Sequence, residues 1–162
     1  MQPRLTVNLV PQEQWGSNLH VALKGKGWDE IRKRVYAEAD HRCVICGGRG
    51  PKWPVEAHEV WSYVDGVQKL EAIKAFCPAC HEVQHMGRAL STGHGDRALR
   101  HLEEVNGWDF YEANEHVDQA FDIWEERNRV RWMLDLSLLW EYGIDPAVVP
   151  LRQVAYETRS DA

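Results

Sequence analysis

The sequence contains no run of 18 uncharged apolar residues, and its first residues, Met-Gln-Pro-Arg-Leu, lack the charged-then-apolar order of a secretory signal. We therefore expect a cytoplasmic protein without a membrane span. A glycine-rich phosphate loop, a serine-nucleophile motif and internal repeats are also missing, which argues against the enzyme and repeat classes that depend on them. With 162 residues, 44% of them hydrophobic, the chain has enough apolar material for one domain with one core.

Basic residues are not in excess, which argues against a general-purpose DNA-binding protein. The net charge is −6, but it is unevenly distributed: residues 1–100 sum to +3 and residues 101–162 to −9. Any nucleic-acid-binding surface must therefore be local. The candidates are Lys24, Lys26, Arg32, Lys33, Arg34, Arg42, Arg49 and Lys52. A solvated helix face is the alternative explanation for this basic run.

Cysteine is scarce, and all four cysteines fall into two Cys-x-x-Cys motifs, Cys43-Val-Ile-Cys46 and Cys77-Pro-Ala-Cys80. Two such pairs about thirty residues apart match the ligand number and spacing of a tetrahedral zinc site. Disulfides are the alternative, but a reducing compartment disfavours them. The spacing therefore predicts one structural Zn²⁺ held by Cys43, Cys46, Cys77 and Cys80.

Histidines accompany these motifs, although a zinc site of four cysteines needs none of them. His58 precedes Glu59 between the two motifs, His81 follows the last cysteine, and His85 comes four residues later. On a helix, His81 and His85 would share one face and could bind a single ion. The pattern suggests a second site, with chemistry of its own, mounted on the zinc-bound frame. The alternative is that His58 braces the frame and that His85 is an ordinary surface residue.

Periodic patterns predict the elements around these motifs. Apolar positions at three- and four-residue steps predict a helix over 28–39. Strand-like runs cover 55–63 and 67–76, with Asp65-Gly66 as the turn between them. Pro78 opens a helix that continues over 79–89. The resulting order predicts a ββα unit clasped by zinc.

We accordingly predict an α+β fold with a small zinc-stabilised ββα-metal core, an N-terminal extension and appended C-terminal helices. The predicted segments are an extended arm (1–27), the zinc-binding core (28–90), a helical extension (91–145) with helices over 96–105 and 113–127, and a tail (146–162). The acidic helices of the extension are candidates for binding a protein partner.

The motifs resemble the HNH nucleases of the His-Me finger class in their zinc-stabilised form. The resemblance covers residues 28–90 and is most specific in the paired Cys-x-x-Cys motifs and in Cys80-His81. It implies a metal-dependent endonuclease, with His58 as the general base and His81 as a ligand of a catalytic Mg²⁺, Mn²⁺ or other divalent ion. His85 and Glu59 are further candidate ligands of that ion.

Two positions depart from the family pattern. The residue before the base histidine is commonly a metal ligand but is Ala57 here, and the central Asn of the motif corresponds to Ala72. Glu59 shares a strand face with Ala57 and is the candidate replacement for the missing carboxylate. In an alternative assignment, His58 is the ligand and Glu59 the base. Glu71, beside Ala72, is a weaker candidate for the orienting group.

The sequence thus predicts an HNH-like endonuclease that hydrolyses DNA phosphodiester bonds. One alternative is a catalytically degenerate zinc module that binds nucleic acid or a protein. Another is a phage or host accessory protein whose acidic helices engage a partner enzyme.

Overall fold

The structure is a computed structural model that describes residues 2–16 and 18–151, with the backbone alone for Lys26. The helices are α1 (Leu19–Ala22), α2 (Lys26–Glu38), α3 (Pro78–Gln84), α4 (Met86–Ser91), α5 (Gly95–Asn106) and α6 (Phe110–Arg127). The strands are β1 (Glu56–Val64), β2 (Val67–Phe76) and β3 (Met133–Asp135). Short 3₁₀ turns cover Gln12–Gln14, Ser137–Tyr142 and Pro146–Val148. The predicted α+β class is confirmed.

The centre of the fold is the predicted hairpin. β1 and β2 pair antiparallel from Glu56 with Phe76 to Val64 with Val67, and a bulge lies between Val60 and Trp61. Asp65 and Gly66 form the turn with positive φ angles of 50° and 76°, a conformation that suits glycine. β3 pairs parallel to β2. It was not predicted, because three residues give too short a pattern to recognise.

Two groups of apolar side chains form the core. The first joins the N-terminal arm, the cysteines and helices α3 to α6, and includes Leu5, Val83 and Leu102. The second joins α2, the sheet and the segment after β3, and includes Ile31 and Leu134. The hairpin contributes Phe76 to the first group and Trp61, Leu70, Ile73 and Ala75 to the second.

The N-terminal arm is extended as predicted over its first part, but it is not a strand of the sheet. Leu5, Val7 and Leu9 are buried, while backbone N–H groups of the arm bond to side chains instead of to a neighbouring strand. Leu5 donates to Oδ1 of Asn106, and Val7 donates to Nε2 of His116. The prediction of an extended arm as far as residue 27 is wrong, because α1 and the start of α2 fall inside it.

The helix predicted over 79–89 is divided at His85, whose φ of −102° and ψ of 46° end α3 and precede α4. The division lets both helices bury their apolar residues, Val83 in α3 and Met86 and Ala89 in α4. His81 and His85 are therefore not two positions of one continuous helix.

Part of the predicted tail is packed. Pro146 and Val149 are buried, and residues 152–162 lie outside the described residues. Within the described residues, no helix has the length and apolar character needed to cross a membrane.

Candidate metal centres and the adjoining cleft

The two Cys-x-x-Cys motifs come together at one end of the hairpin. The sulfur atoms of Cys43, Cys46, Cys77 and Cys80 all lie within 4.8 Å of one another. The Cys46 and Cys77 sulfurs are 3.7 Å apart. Tetrahedral zinc with Zn–S bonds of about 2.3 Å would separate its sulfurs by about 3.8 Å. The donor set and the spacing fit a structural Zn²⁺.

Local backbone geometry positions each pair of cysteines. In the first, Gly47 has a φ of 76° and donates to the Cys43 carbonyl, while Gly48 N–H points at the Cys46 sulfur at 3.4 Å. In the second, Cys77 is the N-cap of α3, and its sulfur accepts from Cys80 N–H. Val44 N–H donates to the Ala75 carbonyl, which ties the first pair to the end of β2.

The electrostatics of the cluster favour a bound cation. Hydrogen bonding from Cys77 lowers the pKa of Cys43, whereas hydrogen bonding to Cys43 raises the pKa of Cys77 to about 11 and also raises that of Cys80. One thiolate is therefore stabilised at the expense of its neighbours. A divalent ion would remove this competition, since metal ligation requires the deprotonated sulfur.

A second cluster consists of His58 from β1, His81 from α3 and His85 at the end of α3. Their ring nitrogens lie within 4.8 Å of one another. The rings form a near-equilateral triangle, with centroid separations of 5.0 Å for His58–His81, 5.3 Å for His58–His85 and 4.8 Å for His81–His85. Nε2 of His81 is 3.1 Å from Nε2 of His85. Three converging imidazoles are a suitable ligand set for a divalent transition metal.

A carboxylate fixes His81 from the side opposite His85. Nδ1 of His81 donates to Oε2 of Glu56, and Oε1 of Glu56 accepts from Nε1 of Trp53 at 2.7 Å. The bond to His81 lowers the pKa of Glu56, so this carboxyl group stays ionised. A carboxylate on the outer nitrogen of a histidine is the usual support of a metal-ligating imidazole, because it fixes the tautomer and the ring orientation.

His58 is buried, and the surrounding side chains fix its ring. It stacks on Phe76 at 4.8 Å with an interplanar angle of 20°, and the Gln84 side chain lies near the ring. Burial, reinforced by charge on His81 and His85, lowers the pKa of His58 to about 2. Burial also lowers the pKa of His85 to about 4. Both rings are therefore neutral near pH 7, as a metal ligand must be.

Glu59 lies in a different setting. Glu59 does not belong to the group of potential metal ligands that His58, His81 and His85 form. Its Oε1 accepts a hydrogen bond from Leu19 N–H at 2.7 Å. Burial raises the pKa of Glu59 to about 7. The structure thus gives Glu59 an anchoring contact with α1, and its proposed role as a ligand or base stays a prediction.

Ala57 and Ala72, the two alanines noted in the sequence, line different cavities. Ala72 faces a separate pocket with Glu71, and Oε1 of Glu71 accepts from the Ser62 hydroxyl. The carboxylate nearest His81 is Glu56 rather than a residue at position 57.

The histidines open into a cavity of about 670 Å³, called the cleft below. Residues of α2, β1, α3 and α4 line it, together with several residues that precede α2. The lining residues used below are Arg32, Glu56, His58, Glu59, His81, His85 and Arg88.

The predicted basic surface is divided by the structure. Arg32 lines the cleft, although it pairs with Asp29 at 2.8 Å. Arg34 points elsewhere, to Glu38 and to the Tyr142 ring. Lys24, Lys33, Arg42, Arg49 and Lys52 are exposed outside the lining, and the Lys26 side chain lies outside the described part.

The sequence interpretation missed Glu56, Gln84 and Arg88. Glu56 is two residues before His58, so strand periodicity places both on one face and was the available signal. Gln84 had no such signal, because its contact with His58 depends on the packing of α3 against the hairpin.

Comparisons of the chain with protein-family models, curated proteins and solved structures found no match. The function is therefore inferred from the side chains themselves.

Proposed function

We propose that this protein is a metal-dependent endonuclease of HNH type that hydrolyses DNA phosphodiester bonds. The observation that carries the proposal is the triangle of His58, His81 and His85, which opens into a cleft beside the four-cysteine cluster. The position of this triangle, between a β-hairpin and the helix that follows the second cysteine pair, is the arrangement that the motif resemblance implies.

We assign all three histidines as ligands of one divalent ion. Ala57 removes the ligand that the family places before its base histidine, and His58 is the neighbouring residue whose ring reaches the other two, at 5.0 and 5.3 Å. When bound, a divalent ion would offset charge on the phosphoryl oxygens and make water more acidic at neutral pH.

The chain's own residues hold the site ready for this chemistry. Glu56 orients His81, and Phe76 with Gln84 orients His58. Arg88, three residues after His85, and Arg32 both line the cleft. Guanidinium groups at these positions suit the recognition of phosphate oxygens flanking the bond to be cleaved.

The cysteine cluster supports the site mechanically. Cys80 is a ligand candidate of the first centre and His81 of the second, so an ion bound by the four cysteines would hold the start of α3 against the end of β2. Structural zinc thereby fixes one wall of the histidine site.

Cleavage of supercoiled plasmid by zinc-loaded protein with added Mg²⁺, Mn²⁺, Co²⁺ or Ni²⁺ tests the proposal. We expect nicking that depends on the added ion and is lost in His58→Ala, while His94→Ala in an exposed loop retains it. Absence of cleavage of DNA and RNA with every ion would contradict the proposal and favour a degenerate binding module.

Titration of zinc-loaded protein with Co²⁺, whose visible spectrum reports its ligands, separates the two roles of His58. If His58 is a ligand, the His58→Ala substitution weakens binding of the second ion. If His58 is the base, the substitution leaves that affinity intact and lowers turnover by about 10²–10⁴.

A further inference from the structure

The ligand atoms that converge on the second centre are all nitrogens. In the part of the chain that the structure describes, the side chains close enough to share one ion form two groups, the four cysteines and the three histidines. Among these described residues, no carboxylate oxygen belongs to the histidine group. An ion bound there would therefore take three imidazoles as its protein ligands.

The two carboxylates nearest the histidines in sequence and in contact are bonded to other groups. One oxygen of Glu56 bonds to Nδ1 of His81, and the other accepts from Nε1 of Trp53 at 2.7 Å. Glu56 could become a ligand of the ion only by giving up these bonds. Oε1 of Glu59 accepts from Leu19 N–H at 2.7 Å, which ties Glu59 to α1. Carboxylate oxygen thus supports the site from outside the set of ligand atoms.

Nitrogen ligands discriminate among divalent ions. Mg²⁺ and Ca²⁺ are hard cations that bind through oxygen, and Mg²⁺ gives up its water ligands reluctantly. Imidazole suits the later first-row ions instead, and the affinity of a given site rises from Mn²⁺ to Cu²⁺. The 3.1 Å between Nε2 of His81 and Nε2 of His85 is compatible with two bonds of about 2.0–2.1 Å to one ion. Catalytic zinc sites with three histidines leave their fourth position to water or substrate.

We propose that the histidine site is selective for nitrogen-preferring transition ions such as Zn²⁺, Co²⁺ and Ni²⁺, and that it excludes Mg²⁺ and Ca²⁺. This inference rests on the proposed function for the assignment of three histidines to one ion, and it specifies which ion they accept. It departs from the Mg²⁺ or Mn²⁺ that the motif resemblance allows. The departure follows from this chain's own residues, since Ala57 brings no ligand and Glu56 is engaged with Trp53.

The direct test measures ion binding rather than cleavage. Protein carrying one equivalent of Zn²⁺ is titrated with Co²⁺ and followed by visible absorption, alone and with Mg²⁺ or Ca²⁺ in about 100-fold excess over Co²⁺. We expect one further Co²⁺ to bind with the same affinity in all three titrations, and Zn²⁺ or Ni²⁺ to displace it. Loss of Co²⁺ affinity in the presence of Mg²⁺, or no second binding event, would overturn the inference.

A change of one ligand from nitrogen to oxygen tests the cause of the selectivity. His85→Asp should lower the preference for Co²⁺ over Mn²⁺ about tenfold or more, because carboxylate suits Mn²⁺ better than imidazole does. His85 is the N-cap of α4, a position that Asp favours, so the helix should tolerate the substitution.

His94→Asp is the matched control, because His94 is the N-cap of α5 and lies outside the histidine group. It should keep the wild-type preference. An unchanged preference in a folded His85→Asp protein would overturn the inference, and the wild-type titrations decide the matter if that variant does not fold.

The outcomes separate this inference from the proposed function. Selective Co²⁺ binding without cleavage of any nucleic acid would contradict the nuclease assignment alone. Cleavage that Mg²⁺ supports as well as Co²⁺ does, and that is lost in His58→Ala, would contradict the selectivity alone.

Discussion

The cysteine cluster and the histidine cluster are joined by the peptide bond between Cys80 and His81, yet they differ in every property that decides what a metal does. Three of the four cysteines are buried in the core. Backbone N–H groups donate to the sulfurs of Cys46 and Cys77. The histidines line a cleft, and a carboxylate supports one of them. Closed sites with four protein ligands are structural, whereas catalytic sites keep a position open.

Charge separates the two clusters further. Four thiolates exceed the charge of a divalent ion, so a filled cysteine site is a poor electrophile. Imidazole ligands carry no negative charge, so they would leave a bound divalent ion its full charge for polarising an oxygen ligand. The comparison teaches that one short segment, residues 77–85, contributes candidate ligands to two clusters of different chemistry, a closed set of thiols and an open set of imidazoles.

Removing a cysteine should produce the largest effect. Cys77→Ser keeps an N-cap hydroxyl for α3 but removes a zinc ligand, so the loss isolates the metal. Structural zinc contributes about 10–16 kcal/mol in small domains, which exceeds the stability of most folds. We expect loss of bound zinc by elemental analysis and of cooperative melting by circular dichroism. Wild-type protein with less than about half an equivalent of zinc, or a variant that melts normally, would contradict the structural site.

Removing a histidine should abolish cleavage but leave zinc binding and folding intact. His81→Ala is expected to lower metal-dependent cleavage by more than about 100-fold, because loss of mere supporting groups at metal sites already has effects of 10–100-fold. Zinc content should remain at one equivalent and the melting temperature nearly unchanged. A variant that loses zinc or unfolds would show that the two clusters are one cooperative unit rather than scaffold and site.

The carboxylate supporting His81 gives a smaller, more specific effect. Glu56→Gln removes charge at nearly constant size and should weaken binding of the second ion about 10–100-fold. Glu82→Gln is the matched control, because Glu82 adjoins His81 in α3 but pairs with Arg97. If Glu59→Gln weakens metal binding and Glu56→Gln does not, Glu59 is the carboxylate of the site.

Most of the scaffold could be predicted from sequence because its determinants are local. Cys-x-x-Cys spacing, the Asp65-Gly66 turn and the strand-like runs that became β1 and β2 each depend on a few neighbouring residues. The division of the helix at His85 could not be predicted, since it follows from the need of α3 and α4 to bury residues against α5 and α6.

The site was predicted less completely, for a similar reason. His58, His81 and His85 were identified by their positions relative to the cysteines, and the structure brings all three together. Their supporting residues act across elements: Glu56 reaches from β1 to α3, and Gln84 reaches from α3 to β1.

The smallest predicted effect concerns the support of the cysteine cluster. Nε2 of His101, on α5, lies 3.2 Å from the Cys80 sulfur, where it would donate to a thiolate. Such a bond contributes about 1 kcal/mol, so His101→Gln should keep one equivalent of zinc but release it several-fold faster to a chromogenic chelator. His94→Gln, an exposed substitution of the same type, should release zinc at the wild-type rate. Equal rates in both variants would mean that the cysteine site needs no outer support, which would sharpen its contrast with the histidine site and the Glu56 carboxylate beside it.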